Sequence, residues 1–314
     1  MNGEPPAQGE PPAQGEPPAR TAPLRDERTE LIHVNGLKLL CRQWGEAAAP
    51  PVVLLHGLRG FSGTWRALAA ALSHRYRLIA FDQRGRGESD WDPDCNYYTD
   101  AYLADLESIA DQLGLRRFAL LGHSMGGTTS YAYADRHPDR LAALVIEDIA
   151  PGSSISGSGA RRIVAEMQAM PAGFASWDEA RAYWRTQRPT LSVAAIEQRV
   201  EESLRQLPNG RITWRYDADG IRRTRLNPDP ARVLDLWPIV ERLRTPTLVI
   251  HGGRSDFCPA TTVAMMRSRN AHITSVIVPE AGHYVHDDAP SVFIEHVARF
   301  VGAHCAPAKP GIAD

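Results

Sequence analysis

From about residue 31 onward, short unbroken runs of Val, Ile, Leu and Ala alternate with helix-length segments. Runs without polar alternation suit strands buried on both faces, as in a parallel sheet. Their alternation with helical patterns predicts an α/β fold, a doubly wound, mostly parallel sheet. Strands are expected at 52–55, 76–81, 118–122, 141–148, 247–251 and 272–278. An opening hairpin is expected from 31–34 and 37–44, which flank the turn pair Asn35-Gly36. Helices are expected at 64–73, 100–113, 125–136, 261–269 and 291–302, with Asp100 and Ser291 as N-caps.

The alternation breaks once. Residues 150–230 contain no strand–helix unit but a Gly/Ser loop at 152–159. Helical segments follow at 161–170, 178–186 and 193–206, then a short hairpin on Asn209-Gly210 and 212–216. Ser176 with Glu179 forms a capping box for the second helix. A helical insertion after a sheet strand is expected to act as a lid, because open α/β sheets bind ligands at the carboxyl ends of their strands. The core is then 30–149 plus 231–304, and residues 305–314 form a polar tail. Residues 3–20 are three near-identical hexads, G-E-P-P-A-Q twice and G-E-P-P-A-R once. Such composition cannot bury apolar surface, so residues 1–29 are expected to be a disordered tail without a targeting signal.

Several function classes fall away. Only Lys38 and Lys309 are lysines among 35 basic residues, and neither lies in a Walker or Schiff-base context. A net charge of −2 gives no footprint for nucleic acid. No apolar stretch is long enough to cross a membrane. Cys41, Cys95, Cys258 and Cys305 have no metal-ligand spacing, which fits inert thiols in a reducing, cytoplasmic setting. Neither metal nor organic cofactor is expected.

Gly122-His123-Ser124-Met125-Gly126 matches G-x-S-x-G, with a strand leading in and a helix leading out. That context makes Ser124 a candidate nucleophile on a turn too tight for flanking side chains. A serine needs a base. His283 follows the last strand at the same sheet edge and is preferred over His251 and His286. The acid that orients it should end another strand. Asp256 is preferred because it lies on the penultimate strand and the chain order is Ser…Asp…His; Asp148, ending the strand before the insertion, is the alternative. Two backbone amides, Leu58 after the 52–55 strand and Met125 after the nucleophile, are candidate oxyanion donors.

These motifs, with Asp82 to Ser89, make residues 31–303 resemble the α/β-hydrolase superfamily in its esterase/lactonase-like branch with a helical lid. The resemblance implies Ser124 as nucleophile, His283 as base then acid, Asp256 as orienting acid, and Leu58 and Met125 as the oxyanion hole. It makes the Asp82–Ser89 loop structural. It implies a serine hydrolase cleaving a carboxylic ester, lactone or thioester of a small molecule. Carbon–carbon bond hydrolysis, or a cyclase or transferase reaction at the same site, is the alternative; a non-enzymatic ligand receptor is a further one. Aromatic and Met residues of the insertion would suit an apolar substrate portion, although aromatics at helical spacing more often form the insertion's own small core. Its arginines, including those from Arg211 through Arg225, read as a solvated face, so a carrier-protein partner has no support.

Overall fold

The structure is a computed structural model and describes residues 15–19, 21–153 and 157–305. The apolar runs pair into an eight-stranded sheet whose strands are β1 (Arg28–Val34), β2 (Leu37–Trp44), β3 (Pro51–Leu55), β4 (Arg77–Phe81), β5 (Phe118–His123), β6 (Leu141–Glu147), β9 (Thr247–Gly252) and β10 (Ile273–Val278). Their order is β1-β2-β4-β3-β5-β6-β9-β10. β1 pairs antiparallel with β2 and β2 with β4, while every other pair is parallel.

Successive side chains on a strand face opposite sides, so each apolar run feeds two cores. Val53, Leu55, Leu120, Leu144, Ile146 and Val249 join one cluster; Val52, Leu54, Leu121, Val145, Leu248 and Ile250 join the other. The first is covered by α2 (Thr99–Gln112), α3 (Met125–Arg136), α8 (Trp237–Arg242) and α9 (Ala260–Arg269). The second is covered by α1 (Arg66–Leu72) and α11 (Pro290–His304). Between β10 and α11 lies one short turn, α10 (Val285–Asp288). Two caps differ from expectation. Tyr98 occupies the α2 N-cap, leaving Asp100 in the first turn to bind Arg232, and α11 starts at Pro290 after Ala289.

Residues 158–226 form α4 (Ser158–Ala169), α5 (Trp177–Gln187), α6 (Val193–Ser203), the hairpin β7 (Leu204–Gln206) with β8 (Ile212–Trp214), and α7 (Ala218–Leu226). Residues 171–214, with the described residues up to Thr21, group as one compact unit; residues from Ala22 to Met170 and from Arg215 onward group as the other. That division is narrower than the expected insertion, because α4 and α7 belong with the sheet. In the small unit, Phe174, Tyr183, Trp184 and Trp214 pack edge to face or tilted, with ring centroids 5.4–5.9 Å apart. The Ser176 hydroxyl caps α5 through the Glu179 amide at 3.1 Å.

Most of the hexad repeat, residues 154–156 of the Gly/Ser loop and the tail from residue 306 lie outside the described residues. The segment just before β1 is tied to the sheet. Glu27 accepts hydrogen bonds from Arg42, Arg66 and the Trp44 indole, and Arg66 also donates to the Ala22 carbonyl. The anchored chain therefore begins before the Glu30 boundary that composition suggested.

Candidate active site

β5 runs into α3 through Ser124, which adopts φ +51° and ψ −116°. A non-glycine residue there stores about 1–3 kcal/mol of strain, which the surroundings must hold in place. They do so through the Ser124 amide, which donates to the Glu147 carbonyl at 3.0 Å, and through the Thr128 amide, which donates to the Ser124 carbonyl at 3.0 Å. Gly126 meets the back of β3 so closely that a Cβ would lie 2.4 Å from the Leu55 carbonyl oxygen. The turn thus lifts Ser124 to the carboxyl edge of the sheet, where 8% of its surface stays open.

The loop after β10 brings His283 to the same edge. Its Nε2 lies 3.0 Å from Ser124 Oγ, and its Nδ1 lies 2.7 Å from Asp148 Oδ2. Phe257 stacks on the imidazole at 4.3 Å between centroids and restricts its rotation. Asp148 follows β6 directly, is fully buried, and sits in the left-handed region at φ +52°. Its carboxylate also accepts from the Gly252 amide at 2.9 Å and from the Ser255 hydroxyl. Burial raises its pKa to about 7 against those hydrogen bonds.

Asp256, the acid preferred from the sequence, stands elsewhere. Arg162 holds its carboxylate bidentately, from Nε at 2.7 Å and Nη2 at 2.8 Å, which keeps its pKa below the usual carboxylate range. The side chain that reaches His283 is the alternative, Asp148. The physical reason is adjacency: β6 and β9 are parallel neighbours, so acids after either strand arrive at one edge. Arg162, 94 positions from Asp256, claims one of them.

His286, a rival base in the sequence, is occupied too. Its backbone amide and Nδ1 both bind the fully buried Glu147 carboxylate at 2.8 Å. His123 Nε2 meets the His283 carbonyl at 2.9 Å. His123, Glu147 and His286 place their ligand atoms within 4.8 Å of one another, the one cluster of metal-ligand character among the described residues. Its hydrogen bonds instead make it a brace: Glu147 holds the Ser124 turn through its carbonyl and the His283 loop through its side chain. Burial pushes the Cys41 thiol up to about 12 and the Cys258 thiol well above its usual value, which leaves both as unreactive thiols.

The loop after β3 completes the edge. Gly57 lies against the nucleophile turn, where a Cβ would fall 2.6 Å from His123 Nδ1. Gln83 fixes this loop from the side, donating from its amide to His56 Nε2 at 3.0 Å and from its side chain to the His56 carbonyl at 2.7 Å. Arg86 Nε donates to the Leu58 carbonyl at 3.3 Å. Among the described residues, no protein acceptor takes the Leu58 or Met125 amide. The Asp82–Ser89 loop is held by Asp82, which accepts from the Ser62 amide at 2.6 Å and the Glu88 amide at 3.0 Å. Leu58, Ser124 and Met125 open onto a cavity of about 470 Å³, whose apolar wall includes Ile149, Ile163, Val164, Val233, Leu234 and Phe257.

This geometry agrees with a family model for the alpha/beta hydrolase fold, which matches residues 50–290. The chain belongs to that family. Among α/β-hydrolase relatives, it is 31% identical to the mouse (Mus musculus) sn-1-specific diacylglycerol lipase ABHD11 over 82% of this chain and 82% of that one. It is 30% identical to the 3-hydroxybutyrate-oligomer hydrolase of Cupriavidus necator over 78% and 87%. The solved structure of E-2-(acetamidomethylene)succinate hydrolase superposes with a TM-score of 0.78 at 24% identity, covering 88% of this chain and 99% of that one. That likeness shows the α/β-hydrolase fold alone.

Two of the insertion's arginines depart from the expected solvated face: Arg161 on α4 and Arg225 on α7 both line the cavity. No helix was expected at 218–226, and nothing in an arginine-rich stretch distinguishes one arginine turned inward.

Proposed function

We propose that this chain hydrolyses a carboxylic ester, lactone or thioester of a small molecule through an acyl-enzyme on Ser124. What carries this reading is the unbroken line from Ser124 Oγ to His283 Nε2 at 3.0 Å and from His283 Nδ1 to Asp148 Oδ2 at 2.7 Å. The Asp148 carboxylate accepts a hydrogen bond from the Nδ1–H, which keeps the ring hydrogen on Nδ1 and leaves Nε2 free to accept the Ser124 proton as Oγ attacks the acyl carbon. The oxygen of the tetrahedral intermediate then sits between the Leu58 and Met125 amides, which are fixed before the reaction begins. His283 returns the proton to the leaving group; water, deprotonated by the same imidazole, releases the acid. Family membership supports hydrolase chemistry at the level of class, and the names of the mouse and Cupriavidus relatives describe ester hydrolases. The mainly apolar cavity suits an acyl chain of modest length.

A fluorophosphonate probe should label the protein, and Ser124→Ala should abolish both labelling and turnover of p-nitrophenyl butyrate. Labelling that survives the substitution would remove Ser124 from the role.

A further inference from the structure

The cavity beside Ser124 carries an electrostatic imbalance. Arg161, Arg225 and Arg232 line it, and no aspartate or glutamate does. Arg232 is neutralised by Asp100 and lies over the Tyr98 ring at 3.9 Å. Arg225 forms no hydrogen bond or ion pair among the described residues, although burial lowers its pKa. It retains some accessible surface on the cavity wall, so the cavity supplies its solvent.

A second cation, Arg86, acts on Arg225 in the same direction as burial, against the opposing effect of Tyr102, which is smaller than that of burial. Arg86 is 1% exposed and depresses the Arg225 pKa further. Among the described residues Arg86 donates to neutral acceptors, the Leu58 and Arg84 carbonyls, the Tyr102 hydroxyl and Met125 Sδ, and stands over the Tyr97 and Tyr102 rings. Buried Arg66 and Arg84, by contrast, are matched by carboxylates. Arg84, for example, is held by Asp92 at 2.6 Å and Asp105 at 2.7 Å. A buried cation costs folding free energy unless an anion meets it. Arg225, a cation without a carboxylate on the wall of the cavity, leaves that anion to come from outside.

We infer that the substrate carries a carboxylate, which Arg225 receives in the cavity while the ester group lies at Ser124. This rests on the ester-hydrolase reading above and narrows it to esters of dicarboxylic or otherwise acid-bearing chains. A guanidinium gives two parallel hydrogen bonds to a carboxylate, and the low dielectric of the cavity strengthens them.

Direct binding tests the inference without turnover. Ser124→Ala protein is titrated calorimetrically with monomethyl esters of dicarboxylic acids from glutaric to suberic, and with the matching neutral dimethyl esters. The best monoester should bind at least about tenfold more tightly than its diester, the scale of one charged hydrogen bond. Adding Arg225→Gln should erase that preference, and Arg225→Lys should restore part of it. Inorganic phosphate as competitor separates a general anion site from a carboxylate site: phosphate that displaces the monoester at comparable concentration overturns the carboxylate assignment. The inference is also overturned if diesters bind as well as monoesters, if no monoester binds, or if Arg225→Gln leaves the preference intact. The charged-to-neutral comparison needs no Arg225 variant, so misfolding of one would not obscure the answer. Loss of fluorophosphonate labelling and ester turnover in the wild-type protein would instead defeat the hydrolase reading, whatever the calorimetry shows.

Discussion

Replacing Asp148 by asparagine separates the two candidate acids. The Asp148 carboxylate accepts from the Gly252 amide on Oδ1 and from the Ser255 hydroxyl and His283 on Oδ2. Asparagine has one acceptor oxygen and one donor nitrogen of nearly the same shape. The Gly252 N–H is fixed in the backbone and demands the oxygen, which turns the amide nitrogen toward His283. That nitrogen would donate to Nδ1 and place the ring hydrogen on Nε2, where the Ser124 proton must go. In a serine–histidine pair the wrong tautomer costs about 10⁴ in rate, or ~5 kcal/mol of barrier. Asp256→Asn removes something smaller. Its ion pair with Arg162 joins side chains 29% and 36% exposed, and such pairs contribute about 0–1 kcal/mol. Initial rates on p-nitrophenyl butyrate should therefore fall by about 10³–10⁴ in D148N and by less than about fivefold in D256N, with unchanged circular dichroism in both. Equal damage from the two substitutions, or a D148N enzyme within tenfold of wild type, would refute the assignment.

The acid limb of kcat/KM should have its midpoint near pH 7, because burial keeps Asp148 protonated up to about that value. Activity then rises with pH as the Asp148–His283 pair gives up its proton. D256N should leave the midpoint in place, since Arg162 keeps that carboxylate ionised throughout, and a midpoint that moves with D256N would count against this. Gly57→Ala should lower kcat by about 10²-fold through displacement of the Leu58 amide, read by stopped-flow acylation; an unimpaired rate would remove that amide from the oxyanion hole. Glu147→Gln should cost about 1–3 kcal/mol by leaving one of the His286 donors mismatched, seen as a melting temperature several degrees lower, and an unaltered melting curve would contradict the bracing role.

The parts of the site that were legible in the sequence are those fixed by local geometry. Gly122 and Gly126 announce a turn that admits no side chain, so the placement of Ser124 on it was legible from five residues. The placement of His283 beside Ser124 was legible because a loop after the last strand can reach only one edge of a parallel sheet. The orienting acid was ambiguous for the same reason. Asp148 and Asp256 both follow strands that lie side by side, and the tie is broken by an arginine from α4, far away in sequence. The helix α7 was missed because its polar residues mask a single buried stripe through Ile221 and Thr224. Propensity reads that segment as surface; only packing reveals which arginine is enclosed.

The clamp on Glu27 also says where the chain can be cut. Composition would place a truncation at residue 29 or 30, just after the low-complexity stretch. That cut removes the acceptor for Arg42 and Arg66, whose side chains are 18% and 9% exposed, and strands two cations at the edge of the sheet. Removing residues 1–21 spares both pairs and the Ala22 carbonyl that Arg66 also holds. A shortened protein meant for crystallisation or assay should begin at Ala22, and one begun at Glu30 should melt earlier.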